Sequence, residues 1–266
     1  MGRVRLDEEL VSQGYFPTRD AASRAVMAGM VSSRGERFSA PGTQVRPGIE
    51  LHVKNARRYA SRGGLKLEGA LDAFSFDVSG LECVDVGCST GGFTDCLLAR
   101  GASHVLAVDV GRAQFDWALR NDSRVTLLER TNIVDVPAEG YAGRFELAVC
   151  DVSFTGIAHV LPAVKDVLRP EGCFLTLVKP QFEAAPEDVD DGGIVRDQHV
   201  RRAVLVRVVR GLLEAGFSVE GVCASPITGA KGNHEYFALA RLSAGGETPE
   251  WNDGAVCALV DEVGEL

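Results

Sequence analysis

The sequence predicts an α/β protein with a doubly wound, mostly parallel sheet, preceded by a small α+β domain. Three observations carry this. From Arg62 onward, strand-length apolar runs alternate with helix-length amphipathic ones, as in a parallel sheet covered by helices. A glycine-rich turn, Asp85-Val-Gly-Cys-Ser-Thr-Gly-Gly-Phe93, directly follows the first of these runs. Charge is also uneven: residues 1–66 hold 12 Lys and Arg against 6 Asp and Glu, and the rest hold 16 against 31. The chain's net charge of −9 therefore hides a basic front part, which suits a polyanionic partner.

The boundaries follow from composition. Residues 1–54 read as the small domain. Val4, Leu6, Leu10 and Val11 make one apolar helical stripe, ended by Gly14. Thr18 is placed to cap a second helix carrying Ala21, Ala22, Ala25, Val26 and Met30, with Gly29 near its end. A hairpin is expected to turn at Arg34-Gly35, and Ile49-Glu-Leu-His-Val53 alternates like a final strand. Residues 55–61 are polar, basic and short, and read as a linker. Residues 62–242 form the large domain. Its strands are expected at 82–86, 104–110, 125–129, 145–150, 173–178, 217–223 and 235–242, the last two antiparallel at an edge. Helices are expected at 93–99, 157–168 and 198–215. Residues 243–266 show no pattern.

Several classes are disfavoured. The apolar stretches near Val105–Val110 and Phe174–Val178 are of strand length, far shorter than the roughly 18 residues that span a bilayer. Charges at Arg3, Arg5, Asp7, Glu8 and Glu9 stand where a signal peptide is apolar, so a cytoplasmic location is expected. The seven cysteines have no C-x-x-C spacing, which favours reduced buried thiols over disulfides or zinc. No metal is expected.

The chemistry concentrates after the strands. In the glycine turn, Gly87, Gly91 and Gly92 allow close backbone approach to a ligand at the next helix's N-terminus. The spacing G-x-x-x-G-G is not the dinucleotide pattern, and no Gly-Lys-Ser/Thr follows. Asp109 ends the second strand, where a carboxylate can accept both hydroxyls of an adenosine ribose. Lys66, Asp151, Lys179 and Glu235 all fall at helix or strand ends on one expected edge of the sheet. Singly, each reads as part of a structural ion pair. Together they suit methyl transfer to a ribose hydroxyl: an amine partly buried beside a second amine gives up its proton more readily and can then take one from the hydroxyl.

Residues 62–242 resemble the FtsJ-like RNA 2′-O-ribose methyltransferases. The resemblance rests on Asp85–Phe93, Cys150-Asp-Val-Ser-Phe154, Val178-Lys-Pro-Gln-Phe182 and Gly232-Asn-His-Glu-Tyr-Phe237. It implies a Rossmann-like S-adenosylmethionine-dependent methyltransferase fold with a seven-stranded, mostly parallel sheet. It implies a Lys-Asp-Lys-Glu tetrad at Lys66, Asp151, Lys179 and Glu235, with Lys179 as the central base. It implies S-adenosylmethionine held by Asp85, Gly87, Ser89, Gly91, Gly92, Phe93, Asp109 and Asp151, with Asn132 or Asp135 near the adenine. Ser89-Thr90 departs from the Ala-Pro of many members.

Residues 3–54 resemble the RNA-binding domain first known from ribosomal small-subunit protein four. This implies phosphate contacts from Arg5, Arg19 and Arg24, joined by Arg34 or Arg37, with Arg62 as a further RNA-binding candidate. With the junction Tyr59-Ala-Ser-Arg-Gly-Gly-Leu-Lys-Leu67, the domain order is similar to the TlyA (hemolysin A) family of ribosomal RNA cytidine-2′-O-methyltransferases. The expected partner is structured ribosomal RNA or a ribosomal subunit, and a monomer is favoured over an oligomer. The competing readings are a nicotinamide-dependent oxidoreductase, a non-catalytic RNA-binding or ribosome-assembly factor, and a membrane-active hemolysin.

Overall fold

In the computed structural model the chain forms two compact units, Met1–Arg58 and Tyr59–Leu266. All residues are described except 1–2, 13–14, 17, 55–57, 113, 244–251 and 265–266.

The first unit comprises strand β1 (Val4–Arg5), helices α1 (Leu6–Ser12) and α2 (Arg19–Met27), and strands β2 (Val31–Ser33), β3 (Glu36–Arg37), β4 (Gln44–Val45) and β5 (His52–Val53). Val4, expected in the first helical stripe, instead pairs in β1 with Val45 of β4. Thr18 caps α2, its hydroxyl accepting from Ala21 N. Gly29 follows that helix with a positive φ, which its missing Cβ permits. The hairpin turns at Arg34 and Gly35, both with positive φ, which matches the twist of β2 and β3. Leu6, Leu10, Ala22, Val26, Val31 and Val45 make the core. Gly14 lies outside the described residues.

The second unit runs α3 (Gly63–Ala73), β6 (Glu82–Val86), α4 (Gly92–Ala99), β7 (His104–Asp109), α5 (Trp117–Arg120), β8 (Val125–Glu129), β9 (Phe145–Cys150), α6 (Leu161–Val167), β10 (Leu168–Val178), α7 (Pro180–Glu183), α8 (Gln198–Glu214), β11 (Phe217–Ala224), β12 (Tyr236–Leu242) and α9 (Asp253–Asp261). One seven-stranded sheet has the order β11-β12-β10-β9-β6-β7-β8. Strands β6 to β10 are parallel where they pair, and β12 is antiparallel to both β10 and β11. Alternating residues feed two cores. Cys83, Val105, Leu147 and Leu175 face α3, α4 and α5. Val84, Leu106, Ala148 and Phe174 face α6, α8 and α9. Strand order reverses between β6 and β9, so their carboxyl ends open the crevice in which such sheets bind ligands.

Other expectations change in the second unit. Tyr59, Ala60 and Ser61, read as linker, belong to the second unit: the buried Tyr59 hydroxyl donates to Glu68 Oε1 at 2.9 Å, and Ala60 N donates to Asp95 Oδ2 at 2.8 Å. The helix expected over 157–168 is a 3₁₀ turn (Ile157–His159) followed by the shorter α6. The unassigned tail contains α9, which buries Val256 and Val260 and is pinned to α8 by the pairs Arg202–Asp261 and Arg210–Asp253.

Candidate active site

Lys66, Glu235, Asp151 and Lys179 form two ion pairs. Lys66 projects from the first turns of α3 and its Nζ pairs with Glu235 Oε2; both side chains are buried. Asp151, just past β9, pairs through Oδ1 with Lys179 Nζ at 2.5 Å. Register links the pairs. Val178 of β10 lies opposite Tyr236 of β12, so one further step places Lys179 across from Glu235. Burial of unpaired charge is costly, and pairing offsets that cost only where both partners are held. Glu235 is held by its backbone, whose carbonyl accepts from Ser225 N at 2.8 Å.

Lys179 has two more partners that the spacing did not reveal. Its Nζ lies 3.1 Å from Val152 O and 2.9 Å from Ser153 Oγ. The loop that carries them is fixed at its far end by Glu183, whose Oε1 accepts from Ile157 N at 2.7 Å. Burial pushes the Glu183 carboxyl up. Phe154, in the same loop, is 91% exposed, has a positive φ, and sets its ring 5.2 Å from that of Phe182. Gly229 was also missed. A Cβ there would overlap Glu235 Oε1, so the carboxylate occupies space that only glycine leaves. The motifs around Asp151 and Lys179 contained Ser153 and Phe182, but nothing local marked what they touch.

The glycine turn is built around three carboxylates. Asp85, near the end of β6, is fully buried; its Oδ2 accepts from Thr94 N (2.9 Å) and Thr94 Oγ1 (2.6 Å), while Oδ1 has no hydrogen-bond partner among the described residues. Desolvation, reinforced by the charges of Asp151 and Asp109, raises its pKa to about 7. Asp109 accepts from Ser89 N (2.7 Å) and Gly111 N (2.6 Å). Close contacts explain the glycines: a Cβ at Gly87 would lie 3.0 Å from Asp151 O, and one at Gly91 would lie 2.6 Å from Leu119 Cδ1. At Gly92 it would overlap Ser61 Oγ. Phe93 is buried and stacks on Phe237, so it packs the site from beneath. Asn132 caps the 3₁₀ segment Ile133–Glu139 through Val134 N, and Asp135 is exposed in that segment.

These features fit an adenosine-bearing cation. Ser89 and Asp109 line a small hollow with Gly111, Phe115 and Leu127. A positive ligand beside Asp85, Asp109 and Asp151 would relieve their mutual repulsion.

Among the described residues, no group of His, Cys, Asp and Glu could hold a metal, and no helix is long and apolar enough to cross a membrane.

In the first unit, two candidate arginines are already engaged. Arg5 makes a two-pronged contact with Asp7 (3.0 and 2.7 Å), and Arg19 reaches both Asp7 and Glu8 at 3.1 Å. These guanidinium groups hold the buried Asp7 carboxyl well below the usual range. Arg24, Arg34 and Arg37 have no side-chain partner among the described residues. Arg34 lines a groove with Arg3 and Arg46, two positions not singled out from the sequence. Arg62 is exposed at the start of α3.

The family model for FtsJ-like methyltransferases matches residues 59–242. The chain belongs to that family. Like other FtsJ-like methyltransferases, it has the fold of S-adenosylmethionine-dependent enzymes. The Bacillus subtilis protein YqxC is 46% identical over 93% of this chain and 88% of its own. The 16S/23S rRNA (cytidine-2′-O)-methyltransferase TlyA of Mycobacterium tuberculosis is 44% identical over 90% of each chain. Hemolysin A of Brachyspira hyodysenteriae is 39% identical over 88% of this chain and 98% of its own. A solved Streptococcus thermophilus structure matches 99% of this chain and 96% of that one, at 40% identity and a TM-score of 0.72. The FtsJ-like part begins at Tyr59, where the second compact unit also begins.

Proposed function

We propose that this FtsJ-like enzyme methylates the 2′-hydroxyl of a cytidine ribose in ribosomal RNA. The observation that carries the proposal is the pairing of two buried lysines with two carboxylates, Lys66–Glu235 and Lys179–Asp151, at the carboxyl edge of one sheet. The relatives of like length, one of them named for cytidine 2′-O-methylation of rRNA, support the same reaction.

S-adenosylmethionine supplies a methyl group on a positively charged sulfur. Gly87, Gly91 and Gly92 would let the backbone lie close to it, Asp109 would accept from the ribose hydroxyls, and Asp85 and Asp151 would offset its charge. Asn132 or Asp135 meets the adenine, and Ser89 and Phe93 shape the turn. Lys179, in its amine form, would take the 2′-hydroxyl proton while the bound donor supplies the methyl group and keeps the C–S bonding pair. Asp151 orients Lys179. Glu235 and Lys66 hold the hydroxyl's other side. Phe154 offers an exposed aromatic face beside this centre, which suits an unstacked base. Arg24, Arg34 and Arg37 supply cations for RNA phosphates, with Arg5 and Arg19 contributing through the outer faces of their Asp7 and Glu8 pairs, and Arg62 adding a charge in the second unit.

The test is transfer of labelled methyl from S-adenosylmethionine to small subunits, large subunits and naked RNA, with the modified ribose mapped. Labelled 2′-O-methylcytidine is expected. For Lys179→Ala, transfer should fall by about 10²–10⁴-fold with cofactor affinity retained. A label on a base, or full activity in Lys179→Ala, overturns the assignment.

A further inference from the structure

We infer that the Ser153 hydroxyl is a placeholder for the target ribose hydroxyl: without RNA it fills the position on Lys179 Nζ that the substrate takes over. This rests on Lys179 being the group that receives the 2′-hydroxyl proton. Lys179 Nζ has Asp151 Oδ1 at 2.5 Å, Ser153 Oγ at 2.9 Å and Val152 O at 3.1 Å. Val152 O and Ser153 Oγ accept from two of the ammonium's three N–H donors, while the Asp151 carboxylate lies against Nζ as an ion pair without hydrogen-bond geometry. A substrate hydroxyl that takes over an existing hydrogen bond on Nζ must displace Val152 O or Ser153 Oγ.

The three partners are not equally replaceable. Asp151 carries the compensating charge, and its loss would leave a buried cation unpaired. Val152 O belongs to the main chain, which is tethered one residue earlier by the Asp151 N to Val86 O bond at 3.0 Å. Ser153 is exposed, and its hydroxyl leaves by rotation about a single bond.

The chemistry selects the same residue. A hydroxyl accepts from an ammonium and donates to the lone pair of a neutral amine. It therefore satisfies Lys179 both before and after the lysine loses its proton. A carbonyl or carboxylate oxygen can only accept. Ser153 is thus the one partner of the three with the substrate's own functional group. Between turnovers it keeps the amine ordered, and it does so in competition with the RNA.

The test is steady-state methyl transfer to ribosomal subunits by the full-length wild-type protein, Ser153→Ala and Ser153→Thr. Removing the competing hydroxyl should lower KM for the RNA about five-fold in Ser153→Ala and raise kcat/KM accordingly. Ser153→Thr keeps a hydroxyl and should return the wild-type KM. An unchanged or higher KM in Ser153→Ala overturns the placeholder alone, as does a KM in Ser153→Thr as low as that of the alanine variant. If wild-type protein labels no ribose in either subunit, the role of Lys179 fails and the placeholder falls with it.

Discussion

Lys66 and Glu235 stand 169 residues apart in the chain and form a buried ion pair between α3 and the start of β12. Breaking either side leaves a charge with little access to water. Lys66→Ala and Glu235→Ala should each destabilise the second unit by about 3–5 kcal/mol, while the two combined should cost clearly less than the single changes summed. Denaturant unfolding of all three variants measures this; strict additivity would show that the pair is not coupled.

Asp85 predicts a pH dependence. Its carboxyl titrates near 7 in the folded chain against 3.8 when exposed, so between those values the folded state holds a proton that the unfolded state has lost. Stability from this group is therefore greatest on the acid side, falls as pH rises from about 4, and levels off above about 7, a total on the order of a few kcal/mol. Asp85→Asn cannot titrate and can still accept from Thr94. Its melting temperature relative to wild type should rise between pH 5 and pH 8. A constant difference across that range would place the pKa elsewhere.

The same carboxyl should couple protons to cofactor binding. A cation bound nearby favours the ionised form, so S-adenosylmethionine uptake near neutrality should release protons. Calorimetry in buffers of different ionisation enthalpy should report that release in wild type and its loss in Asp85→Asn.

Gly229 predicts a catalytic defect without a cofactor defect. The methyl group of Gly229→Ala would overlap the Glu235 carboxylate, which must shift and draw Lys66 with it. Displacements of about 1 Å in positioned groups cost up to about a hundred-fold in rate. Methyl transfer should fall on that scale while S-adenosylmethionine affinity holds. Equal losses of both would mean that the loop, and not the carboxylate, is what glycine serves.

Arg24 and Arg34, without side-chain partners among the described residues, should behave as phosphate contacts. Replacing either with alanine should reduce the slope of log affinity against log salt by about 1. Arg5→Ala should instead lower the stability of the first unit as well, because it uncovers the buried Asp7. An unchanged salt slope in Arg24→Ala would remove that residue from the RNA face.

Much of the large unit was legible because its elements are long and periodic. The strands at 82–86, 125–129 and 145–150 and the helix from Gln198 lie where alternation and four-residue recurrence put them. Short elements were not legible. Helices α5 and α7 and the 3₁₀ segments have four residues or seven at most, too few to show a period. The break near Val160 follows a turn whose Ile157 N–H is bound by a distant side chain, Glu183. Val4 was misread because two apolar residues fit a strand as well as a helix.

The sequence by itself determined which residue types stand at each strand end: glycines after β6, Asp109 closing β7, and Asp151 and Lys179 after β9 and β10. Local spacing encodes that, because strand ends and turns are local. The tertiary structure alone decided who touches whom: Lys66 with Glu235, Lys179 with Ser153 as well as Asp151, Gly229 beneath a carboxylate, and Arg5 bound to Asp7 instead of standing free. The Lys66 and Lys179 contacts depend on strand order and register, which bring together positions far apart in sequence; those of Gly229 and Arg5 join near neighbours, and side-chain packing decides them.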